Sequence, residues 1–294
     1  MTDRSERQGQ TNSTPHSGLD VKQSPAAGKP PHNNRRPIIV VLVIVIVVCL
    51  AIAGFNVFQM VQTAAQINSL QNEQKVTPST PSENSSSKGS PSAQQLPANP
   101  INFAELQSKN EDVYAWLYIP GTEVNYAVVQ HPTDNAFYLT HDETKAESAA
   151  GALFSEDYNT TDFKDAVTLI YGHNIENAQM FGSLHYFEDP AFFNENTKFY
   201  VYTPGHIYTY DIVSAFMTDD QHVLYRYGYF QTYEQLREFE QEILNPHTLV
   251  KNVREMPLDD SSKIVVLSTC NTGELSETSR YLVCGVMTDD QPTE

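Results

Sequence analysis

What this 294-residue chain lacks narrows its chemistry before any motif is read. Positive charge is scarce: 18 Lys and Arg stand against 36 Asp and Glu, a formal net charge of −18. A nucleic-acid partner needs a cationic face, so that class is excluded, and the acidic excess reads as colloidal solubility. The pairs Asp219–Asp220, Asp259–Asp260 and Asp289–Asp290 read as solvated turns, because no spacing matches a calcium loop. There is no HExxH and no cluster of Cys and His at ligand spacing, so no metal or other cofactor is expected. Cysteine is limited to Cys49, Cys270 and Cys284, which excludes a disulfide-stapled scaffold. No internal repeat is visible, and only one long apolar run occurs.

That run, Ile38 to Phe55, contains no charge. It is close to the roughly 20 apolar residues a helix needs to cross a bilayer. The polar stretch before it argues for a retained anchor rather than a cleaved signal peptide. Arg35 and Arg36, with Lys22 and Lys29 behind them, place positive charge on its N-terminal side. The expectation is therefore a single-pass cell-membrane protein with a cytoplasmic tail over 1–37, a transmembrane anchor over 38–58 and the bulk of the chain outside the cell. From 59 to 100 the composition shifts to Ser, Gln, Asn and Pro, which predicts a flexible extracellular spacer. The folded domain is expected over 101–294.

Within it, Phe103–Trp116 has helical periodicity, and Thr122–Gln130 alternates as a strand does. Further strands are predicted at Gly151–Ser155, Ala166–Tyr171, Lys198–Thr203, His206–Thr218, Lys263–Ser268 and Arg280–Met287. Thr232–Leu244 carries Leu236, Phe239, Ile243 and Leu244 on one helical stripe. Many short strands with few helices predict a mostly β domain, an antiparallel or mixed barrel with appended helices.

Cys270 ends an apolar run and is followed by Asn271-Thr272-Gly273, which would expose its thiol. Two readings stand: a small buried hydrophobe, or a nucleophile. A nucleophilic cysteine needs a proton carrier. Among nine histidines, His173 repeats the pattern of Cys270, an apolar run (Val167–Tyr171) and then a glycine. Its alternative is a turn histidine capped by Asn174. His185 is placed on a helix face, and His131 and His141 flank a loop. Arg280 opens the next strand. It reads either as a surface residue paired with Glu274 or Glu277, or as a fixed donor to a carbonyl oxygen.

This ordered set resembles the sortases, cysteine transpeptidases of Gram-positive surfaces, and among them class B. The Thr-Leu-x-Thr-Cys signature stands here as Val266-Leu267-Ser268-Thr269-Cys270, with Val in place of the leading Thr. The arginine matches as Arg280, and the histidine matches as His173 within Tyr171-Gly172-His173-Asn174. Trp116–Thr122, Gly151–Phe154 and Met180-Phe181-Gly182 extend the likeness over most of the domain. The resemblance implies a closed eight-stranded barrel, with Thr232–Leu244 as the extra helix of class B. It implies that Cys270 attacks the carbonyl of a threonine in a C-terminal sorting signal, that His173 moves the protons, and that Arg280 steadies the carbonyl or the oxyanion. Ser268, Thr269 and Asn174 are then expected to bind substrate. The implied partners are surface proteins bearing such signals, beginning Asn-Pro or Ser-Pro, and an amine of the cell-wall precursor as acceptor. Pilus assembly, hydrolysis without transfer, and a non-catalytic surface binding module remain the alternatives.

Overall fold

The computed structural model describes residue 41 and residues 44–55, 96–270 and 278–294. They fall into two units, Met1–Asn56 and Val57–Glu294, and the barrel lies in the second. In the first, a helix includes residue 41 and residues 44–55. No helix among the described residues is long and apolar enough to cross a membrane. This corrects the expected anchor over 38–58, and with it the cell-membrane localisation: hydropathy counts apolar residues, whereas a crossing needs roughly 20 of them in one continuous helix. The remainder of that run and nearly all of the expected spacer lie outside the described residues.

The second unit opens with helix α1 (Phe103–Lys109), whose N-cap Asn102 accepts from the Glu105 amide. The helical reading of the following residues gives way to strand β1 (Val113–Tyr118). Its six residues are buried or nearly so, and a strand shielded on both faces has no need of the alternation that distinguishes it from a helix. Strands β2 (Asn125–Val129), β3 (Leu153–Phe154), β4 (Val167–Tyr171), β5 (Lys198–Thr203), β6 (His206–Asp219), β7 (Lys251–Val253), β8 (Ile264–Cys270) and β9 (Ser279–Pro292) follow. Between them lie α2 (Pro190–Glu195), α3 (Val223–Arg226) and α4 (Tyr233–Leu244).

The order β5-β1-β2-β3-β4-β8-β9-β6 closes on itself through a β5–β6 pairing, giving a closed eight-stranded barrel with β7 as a ninth strand outside it. Pairing is mixed: β2–β3 and β4–β8 are parallel, and the other ladders are antiparallel. Strand β6 meets β5 through His206–Asp211 and then β7 through Ser214–Phe216, while β9 runs along nearly all of it. Closure leaves few edges for other chains to pair with.

Strand parity sorts the core. On β8, Val265 and Leu267 fill the barrel with Phe199, Tyr210 and Val283. Ile264 and Val266 point the other way, against Leu236, Phe239 and Ile243 of α4. The period-2 pattern is therefore hidden in β8, because a helix covers its outer face. Helix α4 starts where the sequence predicts, with Thr232 and Gln235 forming a capping box. A third cluster packs Phe103 and Leu106 of α1 on Trp116 and Tyr202.

Candidate active site

The same parity carries the chemistry to one end of the barrel. Tyr171 pairs with Ser268 across the parallel β4–β8 ladder, and Cys270 pairs with Arg280 across the antiparallel β8–β9 ladder. Directly opposed residues share a face, with Cβ atoms about 4.5–5.5 Å apart. Ser268, Cys270 and Arg280 thus continue the outer face of Val266 and Leu282, past the part that α4 covers. The Gly172 amide donates to Ser268 O at 3.2 Å, which ties the end of β4 to β8 where His173 leaves the strand.

The result is a groove of about 360 Å³ whose walls include Cys270, His173 and Arg280 together. A histidine about a hundred positions upstream in sequence is so brought to one solvent-accessible cleft with Cys270 and Arg280, and Cys270 is half-buried rather than sealed in the core. Ser268 and Thr269 also line the groove. Thr269 is buried, and its Oγ1 has no hydrogen-bond partner among the described residues. Asn174 is not on the groove wall: its Nδ2 donates to Cys270 O at 3.2 Å. Arg280 donates from Nη1 to Ser279 O at 3.0 Å.

His173 is fixed through one nitrogen. Its Nε2 lies 2.8 Å from Leu139 O. A carbonyl only accepts, so this bond places a proton on Nε2 and leaves Nδ1 as the nitrogen with a lone pair to exchange. The ring also packs closely on the chain at Gly151, whose φ is +61°: a Cβ there would meet Tyr138 O at 2.5 Å and His173 Cδ2 at 3.1 Å. Beyond His173 the chain returns tightly, with Asn177, Ala178 and Met180 at φ of 61°, 63° and 50°. Such residues cost of order 1–3 kcal/mol each and persist where surrounding bonds over-determine them. Here Phe181 N donates to His173 O at 3.0 Å and Met180 N to Tyr126 Oη at 3.2 Å.

The far wall was not legible from the sequence. Tyr171, Glu156 and His222 line the groove, with His222 Nε2 2.9 Å from Glu156 Oε1 and 3.1 Å from Tyr171 Oη. Burial, reinforced by the Glu156 carboxylate, pushes the Tyr171 phenol well up, so it remains an O–H donor at any ordinary pH. His222 is the N-cap of α3, a helix of four residues that leaves no periodic signal. His185 lies on a 3-10 turn, as its sequence context suggested, yet its ring reaches Cys270 O at 3.1 Å. By contrast Cys284, the other cysteine of the barrel, is fully buried, and burial pushes its thiol up to about 12. Of the two readings of a free cysteine, the buried hydrophobe therefore describes Cys284.

The described residues contain no group of three or more His, Cys, Asp or Glu side chains able to hold a metal ion. What the groove offers instead is a half-buried thiol, an imidazole, a guanidinium and hydroxyl donors. That is the equipment of nucleophilic acyl transfer.

Comparison with known proteins agrees with that chemistry. A family model described as the sortase domain matches residues 117–288. Sortase B of Listeria monocytogenes is 29% identical over 185 residues, covering 62% of this chain and 72% of the relative. Among solved structures, a Streptococcus pyogenes class B sortase involved in pilus biogenesis superposes with a TM-score of 0.55 at 28% identity, covering 64% of this chain and 98% of that one. The Staphylococcus aureus sortase B–substrate complex shares the fold, with a TM-score of 0.61 at 21% identity over 79% of this chain and 99% of that one. The chain belongs to the sortase family, as a class B cysteine transpeptidase.

Proposed function

We propose that this enzyme cleaves a C-terminal sorting signal after its threonine and transfers the shortened protein to an amine of the cell wall. Cys270 is the nucleophile, His173 the general acid and base, and Arg280 the donor to the oxyanion. Nδ1 of His173 takes the proton of the Cys270 thiol, the thiolate adds to the threonine carbonyl, and the charge that develops on oxygen is met by the guanidinium. Collapse of this adduct breaks the peptide bond, and the departing amine takes a proton from Nδ1 of His173. A thioester remains. An acceptor amine then attacks it, gives a proton to Nδ1, and releases the Cys270 thiolate with formation of the new amide bond. The Nε2 bond to Leu139 O keeps the same face of the ring toward the groove in both half-reactions. The Tyr171 hydroxyl on the groove wall is a donor for the peptide's carbonyls, with Ser268 and Thr269 beside it.

The observation that carries this reading is the one groove shared by Cys270, His173 and Arg280, with Cys270 directly opposite Arg280 in the ladder. The test is incubation with a panel of peptides whose signals begin Asn-Pro or Ser-Pro, followed by mass spectrometry of intact protein and products. Wild-type chain should show a thioacyl adduct on Cys270 that an added amine discharges as an amide. Cys270→Ala should show neither adduct nor cleavage. Full cleavage by Cys270→Ala would end the assignment, and cleavage to free acid alone in the presence of amine would make the enzyme a hydrolase. Because one similar structure is of a sortase involved in pilus biogenesis, a lysine side chain of a pilin-type protein is a second acceptor. Competition between a lysyl peptide and a wall-precursor amine separates the two.

A further inference from the structure

The carbonyl of Cys270 itself is held by two side chains from outside its sheet. Asn174 Nδ2 lies 3.2 Å from it and His185 Nε2 lies 3.1 Å from it. Backbone carbonyls inside a ladder are satisfied by the neighbouring strand. Here, at the last residue of β8, side chains take over that task at the residue that carries the thiol.

His185 is in turn held from its other side. It sits on the 3-10 turn Gly182–Glu188, in which side chains at i and i+3 lie on one line. Glu188 is at i+3, and its Oε1 is 2.6 Å from His185 Nδ1. The end of the turn is anchored from β7, where Asn252 Nδ2 donates to Phe187 O at 2.8 Å and to Glu188 O at 3.1 Å. The His185 ring lies against the buried Tyr281 ring, centroids 4.9 Å apart, and its side chain is only 12% exposed. Burial, with the Glu188 carboxylate adding, pushes the Tyr281 phenol well up, so it stays neutral. Glu188 is thus the charged group facing His185, with Tyr281, Asn174 and the Cys270 carbonyl completing its surroundings.

The roles of the ring nitrogens follow from their neighbours. A carboxylate only accepts, so Nδ1 donates to Glu188; a carbonyl only accepts, so Nε2 donates to Cys270 O. Both bonds together use both N–H groups, which is the imidazolium form paired with Glu188. In the neutral form Nε2 instead accepts from Asn174 Nδ2, 3.2 Å away, and the Cys270 carbonyl keeps Asn174 as its side-chain donor.

We propose that His185, oriented by Glu188, is a positioning residue for the nucleophile: its Nε2–H fixes the carbonyl of Cys270 and so the direction in which the thiol leaves the strand. The proposal rests on the reading of Cys270 as nucleophile given above. It assigns to His185 no contact with substrate and no proton transferred in the reaction. A charge-assisted bond is stronger than a neutral one, and small misplacements of a reacting atom are costly.

The test uses the full chain as wild type and as His185→Leu, His185→Gln and Glu188→Ala. Steady-state kinetics on a cleaved sorting peptide are read beside hydrogen–deuterium exchange of the peptide covering 267–270. His185→Leu should lose roughly ten- to a hundredfold in kcat with KM within about twofold, and exchange at 267–270 should rise. His185→Gln, whose amide donates from a similar place, should return to within about threefold of wild type and restore slow exchange. Glu188→Ala, altered at a half-exposed side chain, should fall between them and guards against a misfolded His185→Leu. The proposal is overturned if His185→Leu matches wild type in kcat and exchange, or if His185→Gln is as damaged as His185→Leu in both. If wild-type chain cleaves no peptide of the panel, it is the transpeptidase reading that fails, and the exchange comparison still decides the clamp.

Discussion

Replacing Gly172 by alanine tests the idea that packing at the end of β4 sets the catalytic geometry. Gly172 lies between Tyr171, on the groove wall, and His173, and its amide bonds Ser268 O. A Cβ there would run into Leu153 Cδ2, and would stand 2.7 Å and 2.8 Å from two carbons of the Phe181 ring. Leu153 and Phe181 are both fully buried in the barrel cluster, so neither can swing into solvent. Restoring an ordinary carbon–carbon contact requires at least about 0.7 Å of movement, and the element with room to move is the strand end that carries His173. Overpacking of this kind costs about 1–3 kcal/mol of stability. A shift approaching 1 Å at the imidazole costs up to about a hundredfold in rate, or about 2.7 kcal/mol of transition-state stabilisation. The assay is kcat and KM on a cleaved sorting peptide, with an unfolding midpoint measured on the same preparation. The expected result is a lowered midpoint and a fall in kcat of roughly ten- to a hundredfold. Wild-type kcat in Gly172→Ala would refute the reasoning, because the collision would then have been absorbed without moving His173.

Two further outcomes follow from burial. The Cys284 thiol, pushed up to about 12, holds only about one thiolate in ten thousand at pH 8. Iodoacetamide on the native protein should therefore modify Cys270 and leave Cys284 intact until the chain is denatured, as peptide mass mapping would show; native labelling of Cys284 would contradict the packing described. Glu143 is raised to about 7 by burial, with the neighbouring Asp142 carboxylate adding. A carboxyl raised on folding contributes stability that is fully present below the unfolded value and is lost as pH rises through the folded one. The unfolding free energy should thus decline between about pH 4.5 and 7, by about 1–3 kcal/mol from this group, and Glu143→Gln should flatten that part of the pH profile in chemical denaturation. An unaltered profile in the variant would exclude Glu143 as the source.

The candidate site was legible where side-chain chemistry coincides with strand punctuation. Cys270, His173 and Arg280 each stand where an apolar run meets polar sequence, and a barrel places such junctions at its rim. The groove wall opposite was not legible, because Glu156 and His222 lie in loop and cap positions with no periodicity around them. Asn174 and His185 were visible as residues but not as neighbours of the Cys270 carbonyl, since the contact spans 96 and 85 positions. The helix expected through Trp116 ended at Lys109, and β9 ran on to Pro292 past the strand expected to stop at Met287, because pairing with β6 extends it.

By itself, the sequence determined the family, the closed mostly β class, the helix Thr232–Leu244 and the candidates Cys270, His173 and Arg280 that the groove brings together. These are local properties: residue type, period and order along the chain. Tertiary structure decided which histidines line the groove, which cysteine lies on its wall and which is sealed in the core, and what grips the backbone carbonyl of Cys270. It also overturned the membrane span, for a run of apolar residues specifies hydropathy but not the length of helix it forms. Hydrogen-bond geometry, burial and the alignment of remote strands depend on barrel closure, and no single segment encodes them.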